Sequence, residues 1–116
     1  MTVDVARSVR NLFVDGRWTG SQSGETFAAT SPATGEVIAP VAKGGRPGAV
    51  LAVEAAHRAR PALAALKGFE RSRRLLKIAD AIERRREELG RLLTLDQGKP
   101  LHVEALGEVD EAAEYF

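Results

Sequence analysis

Few residues in this chain of 116 are of types that carry out chemistry, and their spacing excludes more than it supports. There is no cysteine, hence no thiol nucleophile, disulfide or thiolate metal site. His57 and His102 each lack a further ligand three or four residues away, so they do not make a metal pair. Gly44, Gly45 and Gly48 do not form a GxGxxG fingerprint between a strand and a helix. The one basic concentration is Arg71, Arg73, Arg74, Lys77, Arg84, Arg85 and Arg86. It has no interleaved aromatics on which bases would stack. Glu70, Asp80, Glu83, Glu87 and Glu88 lie within it, several at helical pairing distance, which predicts a solvated, salt-bridged surface. The last stretch is the converse: Glu104, Glu108, Asp110, Glu111 and Glu114 without a basic residue.

A net charge of +1 gives no overall reason to invoke nucleic acid or membranes. The start, MTVDVARSVR, has no apolar run resembling a signal peptide, and no stretch is long and apolar enough for a bilayer, so the cytoplasm is the default location. A hydrophobic content of 44% suits a globular chain able to bury a core.

The element that positions the rest is Leu75 to Pro100. Leu75, Ile78, Ala79, Ile82, Leu89, Leu92 and Leu93 recur three and four apart, the spacing of one helical face. The arginines at 84 to 86 interrupt that face, which predicts two helices, at about 70–84 and 86–97, meeting at a bend. Gly98 supplies a left-handed cap and Pro100 stops the helix. Upstream, residues 1–10 form a loose lead-in. Leu12-Phe13-Val14, Asp15-Gly16 and Arg17-Trp18-Thr19 spell strand, tight turn, strand, because Asp-Gly accepts the positive φ of a type I′ hairpin. Strands at about 26–30 and 36–41 flank the Ser31-Pro32-Ala33-Thr34-Gly35 turn. Lys43 to Gly48 is a breaker-rich linker, after which an alanine-rich helix runs over about 47–60 and ends at Pro61. A last helix, 101–116, lines up Leu101, Ala105, Val109, Ala112 and Phe116. The fold class is therefore α+β, a small antiparallel β region over residues 11–42 followed by four helices over 47–116. The last helix closes on Tyr115-Phe116 without a cap, as expected for the front piece of a longer protein.

In their order, LFVDGRW, SPATGEVIAPV, the alanine-rich helix, ERSRRLLKIADAIERRREELGRLLTLDQGKPL and GEVDEAAEYF resemble the N-terminal portion of the NAD(P)-dependent aldehyde dehydrogenase superfamily. The resemblance runs from about Asn11 to Phe116. Ser31 where the family more often has asparagine, Leu63 where it often has tryptophan, and the glycine-rich 44–48 are departures.

The resemblance implies aldehyde oxidation through a cysteine thiohemiacetal, hydride transfer to NAD or NADP, and hydrolysis of the resulting thioester by glutamate-activated water. All of those groups, and the Rossmann-like core, belong downstream of the matched region. This chain is thus expected to be an incomplete domain of an aldehyde-oxidising enzyme, without catalytic or cofactor-binding residues and without activity alone. Its expected partners are the remainder of such a chain, or copies of itself through apolar helix faces, with no nucleic acid or membrane. The alternative is a free-standing, non-catalytic helical interaction module. By resemblance, Gly107, Glu111 and Tyr115 border a substrate tunnel, where Glu111 would repel carboxylate-bearing aldehydes. Asp96, with the main-chain carbonyl near Ala29, resembles a site for a structural monovalent cation. The plainer alternatives are a capping carboxylate at Asp96, a surface helix position at Gly107 and Glu111, and packing at Tyr115.

Overall fold

Asp15 and Gly16 both take positive φ, 54° and 76°, as a type I′ turn requires. They join β1 (Leu12–Val14) to β2 (Arg17–Thr19) in an antiparallel pair with Phe13 opposite Trp18. The two rings lie 5.1 Å apart on one face. The structure, a computed structural model, describes residues 9–116. Most of the expected lead-in, residues 1–8, lies outside the described residues. Arg10 departs from that expectation: its N–H donates to the Pro40 carbonyl at 2.8 Å, and its carbonyl accepts from Ala42 N–H at 2.9 Å.

The other antiparallel pair is β3 (Thr26–Thr30) and β4 (Val37–Ala42), with an irregularity between Ala29 and Thr30. The chain divides into two compact units. One comprises residues 9–30 and 37–65, so it contains all four strands and α1 (Gly45–Ala64). Here Leu12 packs on the start of α1, where a side chain at Gly44 or Gly48 would come within 3.2–3.3 Å of it. Ala39, Ala42 and Ala55 are its buried apolar residues. Of the alanine face expected at 52, 55, 56 and 59, only Ala55 is buried.

Two expectations for α1 need correction. It begins at Gly45, because Pro47 falls in the first turn, where a missing N–H costs nothing. It also continues through Pro61 to Ala64. Close to the C-terminus the proline forfeits one hydrogen bond, and its own carbonyl still accepts from Ala65 N–H at 3.0 Å.

The other unit joins the Ser31–Glu36 turn to Leu66–Phe116. The helix α2 (Gly68–Arg84) opens with the Glu70 carboxylate accepting from Lys67 N–H at 2.8 Å. The bend falls at Arg85, with φ −107° and ψ 15°, and α3 (Arg86–Gln97) follows. Gly98 at φ 75° caps α3, donating its N–H to the Thr94 carbonyl at 2.8 Å.

Beyond Pro100 the expected uninterrupted α-helix is not what forms. Leu101–Ala105 make a π-helical turn: Ala105 N–H reaches the Pro100 carbonyl and Leu106 N–H reaches that of Leu101, each five residues back. Only then does α4 (Leu106–Glu114) run as a regular helix. The extra residue in the turn changes the buried face. It consists of Ala105, Leu106, Val109 and Ala113, whereas Ala112 and Phe116 are exposed. The fold class is α+β, as the residue patterns predict. No helix among the described residues is long and apolar enough to cross a membrane.

Candidate functional site: the outer face of the last helix

Gly107, Glu111 and Tyr115 are four apart, and α4 carries them on one exposed face, away from buried Leu106, Val109 and Ala113. The Tyr115 hydroxyl donates to Glu111 Oε1 at 3.0 Å. That hydrogen bond, then the charge of the Glu111 carboxylate, raises the ionisation of the phenol above its ordinary value. At Gly107 a side chain would meet nothing within 4 Å, so the surface beside Glu111 is open. A carboxylate and a phenol beside an open backbone can accept from and donate to a polar ligand. They are not a nucleophile–base pair.

What fixes this face lies on the opposite side of α4. Gly90 in α3 is buried, and a Cβ there would approach Leu106 Cδ2 to 2.5 Å and Leu101 Cδ1 to 3.4 Å. Leu101 and Leu106 both reach Gly90 because the i→i+5 turn brings residues five apart onto one side. In a regular α-helix they would be rotated about 140° from each other. Two ion pairs add to this seat. Arg86 holds Asp110 through both carboxylate oxygens, at 2.5 and 2.7 Å, and Lys99 pairs with Glu108. Hydrogen bonding to Arg86 keeps the Asp110 carboxyl below the usual aspartate range, and Asp110 in turn raises the guanidinium.

None of Gly90, Arg86 and Asp110 stands out as a positioning residue in the sequence, although signals for them exist. A lone glycine inside an apolar helical stretch marks close approach of another element. An acidic helix with no basic residue of its own needs cations from elsewhere.

The arginine-rich stretch divides. Arg85 grips Glu88 at 2.7 and 2.9 Å, and Arg86 serves α4. Arg71, Arg73, Arg74, Lys77 and Arg84 form no salt bridge among the described residues, contrary to the salt-bridged surface expected there. Arg71 instead donates to the Leu66 carbonyl at 2.6 Å, and Arg73 lies over the Phe69 ring at 5.9 Å.

The other predicted positions fall one in each unit. Asp96 is exposed in the last turn of α3, and Ala29 lies on β3 in the other unit. His57 and His102 are exposed and likewise divided between the units. No group of three or more metal-ligating side chains exists among the described residues.

Hairpin, capped helix pair and acidic last helix, in this order, define a recognisable portion of a larger α+β architecture. The aldehyde dehydrogenase family model matches residues 18–116, and the chain belongs to that family. It is 42% identical to a glutarate-semialdehyde dehydrogenase of Pseudomonas aeruginosa, over 92% of this chain and 22% of that protein. To a betaine aldehyde dehydrogenase of Bacillus subtilis it is 38% identical, again over 92% of this chain and 22% of the other. The crystal structure of HpcC from Thermus thermophilus superposes with a TM-score of 0.90 at 37% identity, covering 95% of this chain and 21% of that one. PnpE, solved with nicotinamide adenine dinucleotide, gives 0.84 at 40% identity over 90% and 21%. The chain thus spans about a fifth of the length of the relatives it matches.

Proposed function

We propose that this chain, over residues 11–116, is the N-terminal part of an oxidoreductase that oxidises an aldehyde to a carboxylic acid with NAD or NADP. The observation that carries this is the family match over 18–116, which spans only about a fifth of the relatives' length. A chain with no cysteine has no nucleophile for that reaction, so nucleophile, water-activating carboxylate and nucleotide site are assigned to the remainder of the enzyme. The half-exposed apolar residues Leu75 and Ile78 of α2 pack, in this reading, against that remainder.

Within the enzyme the outer face of α4 borders the aldehyde. Glu111 disfavours carboxylate-bearing aldehydes by like-charge repulsion and favours neutral or cationic ones, while Gly107 leaves room for the chain of the substrate. Two measurements test this. The purified 116-residue chain gives no aldehyde-dependent reduction of NAD or NADP across aliphatic and aromatic aldehydes. Grafted in place of the matching segment of the Pseudomonas aeruginosa relative, it restores an NAD(P)-dependent enzyme. In that chimera Glu111→Gln raises kcat/KM for anionic aldehydes relative to neutral ones. A folded chimera without turnover overturns the reading of the segment, and an unchanged substrate ratio overturns the role of Glu111.

A further inference from the structure

Around α4, Glu108 lies about 60° from Glu111 and one turn nearer the start of the helix, so both carboxylates share the outward side. Glu114 lies about 60° to the other side of Glu111, whereas Asp110 is about 100° away, where Arg86 holds it. Of the three carboxylates on the outward side, Glu108 alone forms a salt bridge among the described residues, and its cation is Lys99. Glu108 also adjoins Gly107, where the surface is open. The backbone on both sides of Lys99 is fixed. Gly98 N–H donates to the Thr94 carbonyl at 2.8 Å, and the Pro100 carbonyl accepts from Glu104 and Ala105 N–H, each at 3.1 Å. The Lys99 side chain is 29% exposed, less than the cation of any other ion pair among the described residues. A partly buried pair of this kind is screened by salt less than an exposed one.

We infer that Lys99 is a positioning residue that sets substrate specificity: by neutralising Glu108, it leaves the aldehyde facing two uncompensated carboxylates on α4 rather than three. The inference rests on the enzyme reading above, in which this side of α4 borders the aldehyde. Lys99 acts through Glu108 and not on the aldehyde itself. Removing the cation and removing its carboxylate break the same ion pair, and each weakens the seat of α4 in the same way. Their effects on charge are opposite. Without Lys99 the face gains a free negative charge, and without Glu108 it gains a free positive one. That opposition separates an electrostatic role from a purely structural one.

The test uses the chimera with the Pseudomonas aeruginosa relative and reads the ratio of kcat/KM for glutarate semialdehyde, an anionic aldehyde, to that for pentanal, a neutral one of equal chain length. Lys99→Gln should lower the ratio about two- to fourfold, the effect of a unit charge roughly 10 Å away in a largely aqueous medium. Glu108→Gln should raise it by a similar factor. The double variant should return to the wild-type ratio, and Lys99→Arg should keep it. Lys99→Met, which retains the packed stem, should shift the ratio as Lys99→Gln does. Far-UV circular dichroism checks that each variant is folded. Single variants that leave the ratio unchanged overturn the inference, as do single variants that move it in the same direction. Glu111→Gln distinguishes the two failures. If it too leaves the ratio unchanged, or if the folded chimera has no turnover, the enzyme reading fails and this inference falls with it. If it raises the ratio while Lys99→Gln does not lower it, this inference alone is wrong.

Discussion

Two helices of the same unit make an instructive contrast. Helix α2 has 17 residues, a regular apolar stripe and both ends well defined, yet none of its residues is buried. Helix α4 has only nine residues and buries three of them, Leu106, Val109 and Ala113. Pattern therefore does not measure burial. A stripe shows which side of a helix an element would cover, whereas burial requires that the covering element be present. For α4 it is, because Gly90 removes a side chain where Leu106 must enter and the π-turn aims Leu101 at the same place.

The contrast is broken most directly by truncating one leucine in each helix. Leu106→Ala should lower the opening free energy of α4 amides by about 2–5 kcal/mol, the range for buried leucines. Leu75→Ala, in the α2 stripe at a residue 43% exposed, should change α2 protection by about 1 kcal/mol or less. Native-state hydrogen exchange reads both locally. Equal losses would show that the α2 stripe is as well covered as α4.

Gly90 sharpens the comparison next. Gly90→Leu forces several carbon atoms into the space of Leu106 and should cost about 1–3 kcal/mol of α4 protection. Gly90→Ala gains up to about 1 kcal/mol of helix propensity. That gain opposes the displacement of Leu106 Cδ2, a terminal methyl that can shift a few tenths of an ångström, so the net effect should be near zero. If leucine is tolerated as well as alanine, Gly90 is not the seat of α4.

How much of this is legible in the sequence depends on range. The bend at Arg85, the Gly98 cap and the Asp15-Gly16 hairpin rest on local backbone preferences, and all three occur where the residues place them. Four-residue spacing likewise puts Gly107, Glu111 and Tyr115 on one exposed face. The failures are matters of context. Pro61 reads as a terminator, but near the end of α1 it costs one hydrogen bond and the helix absorbs it. Three arginines in a row look alike, yet Arg86 alone meets Asp110, 24 residues away. The π-turn has no composition of its own. It arises because Leu101 and Leu106 compete for one seat on α3, which only the assembled helices reveal.

The Arg86–Asp110 pair gives a smaller effect with a definite pH signature. Its carboxyl ionises below the ordinary aspartate value, so it contributes stability above that value and loses it as pH falls through the lowered one. Arg86→Ala should reduce α4 protection at neutral pH by less than Leu106→Ala does, since both partners are substantially exposed. The difference between wild type and variant should shrink as the solution is acidified through the carboxylate range. A difference constant with pH would mean that Arg86 acts by packing of its stem rather than by its charge.

The smallest effect is also the most local. Tyr115 is the only tyrosine in the chain, so phenolate absorbance reports on it alone. Glu111 holds the phenol proton by a hydrogen bond and by its charge, and both raise the ionisation. Glu111→Gln keeps a hydrogen-bond acceptor but removes the charge, and Glu111→Ala removes both. The midpoint of the phenol titration should fall toward its ordinary value in the order wild type, Gln, Ala. Its raised value means that any stability from this pair is present below the ordinary tyrosine range and disappears as pH rises through the raised one. At an exposed pair the contribution to folding should be too small to register in α4 exchange, so the two readouts separate geometry from stability. Identical titration in all three proteins would show that Tyr115 does not hold Glu111, and that the outer face of α4 presents two independent side chains.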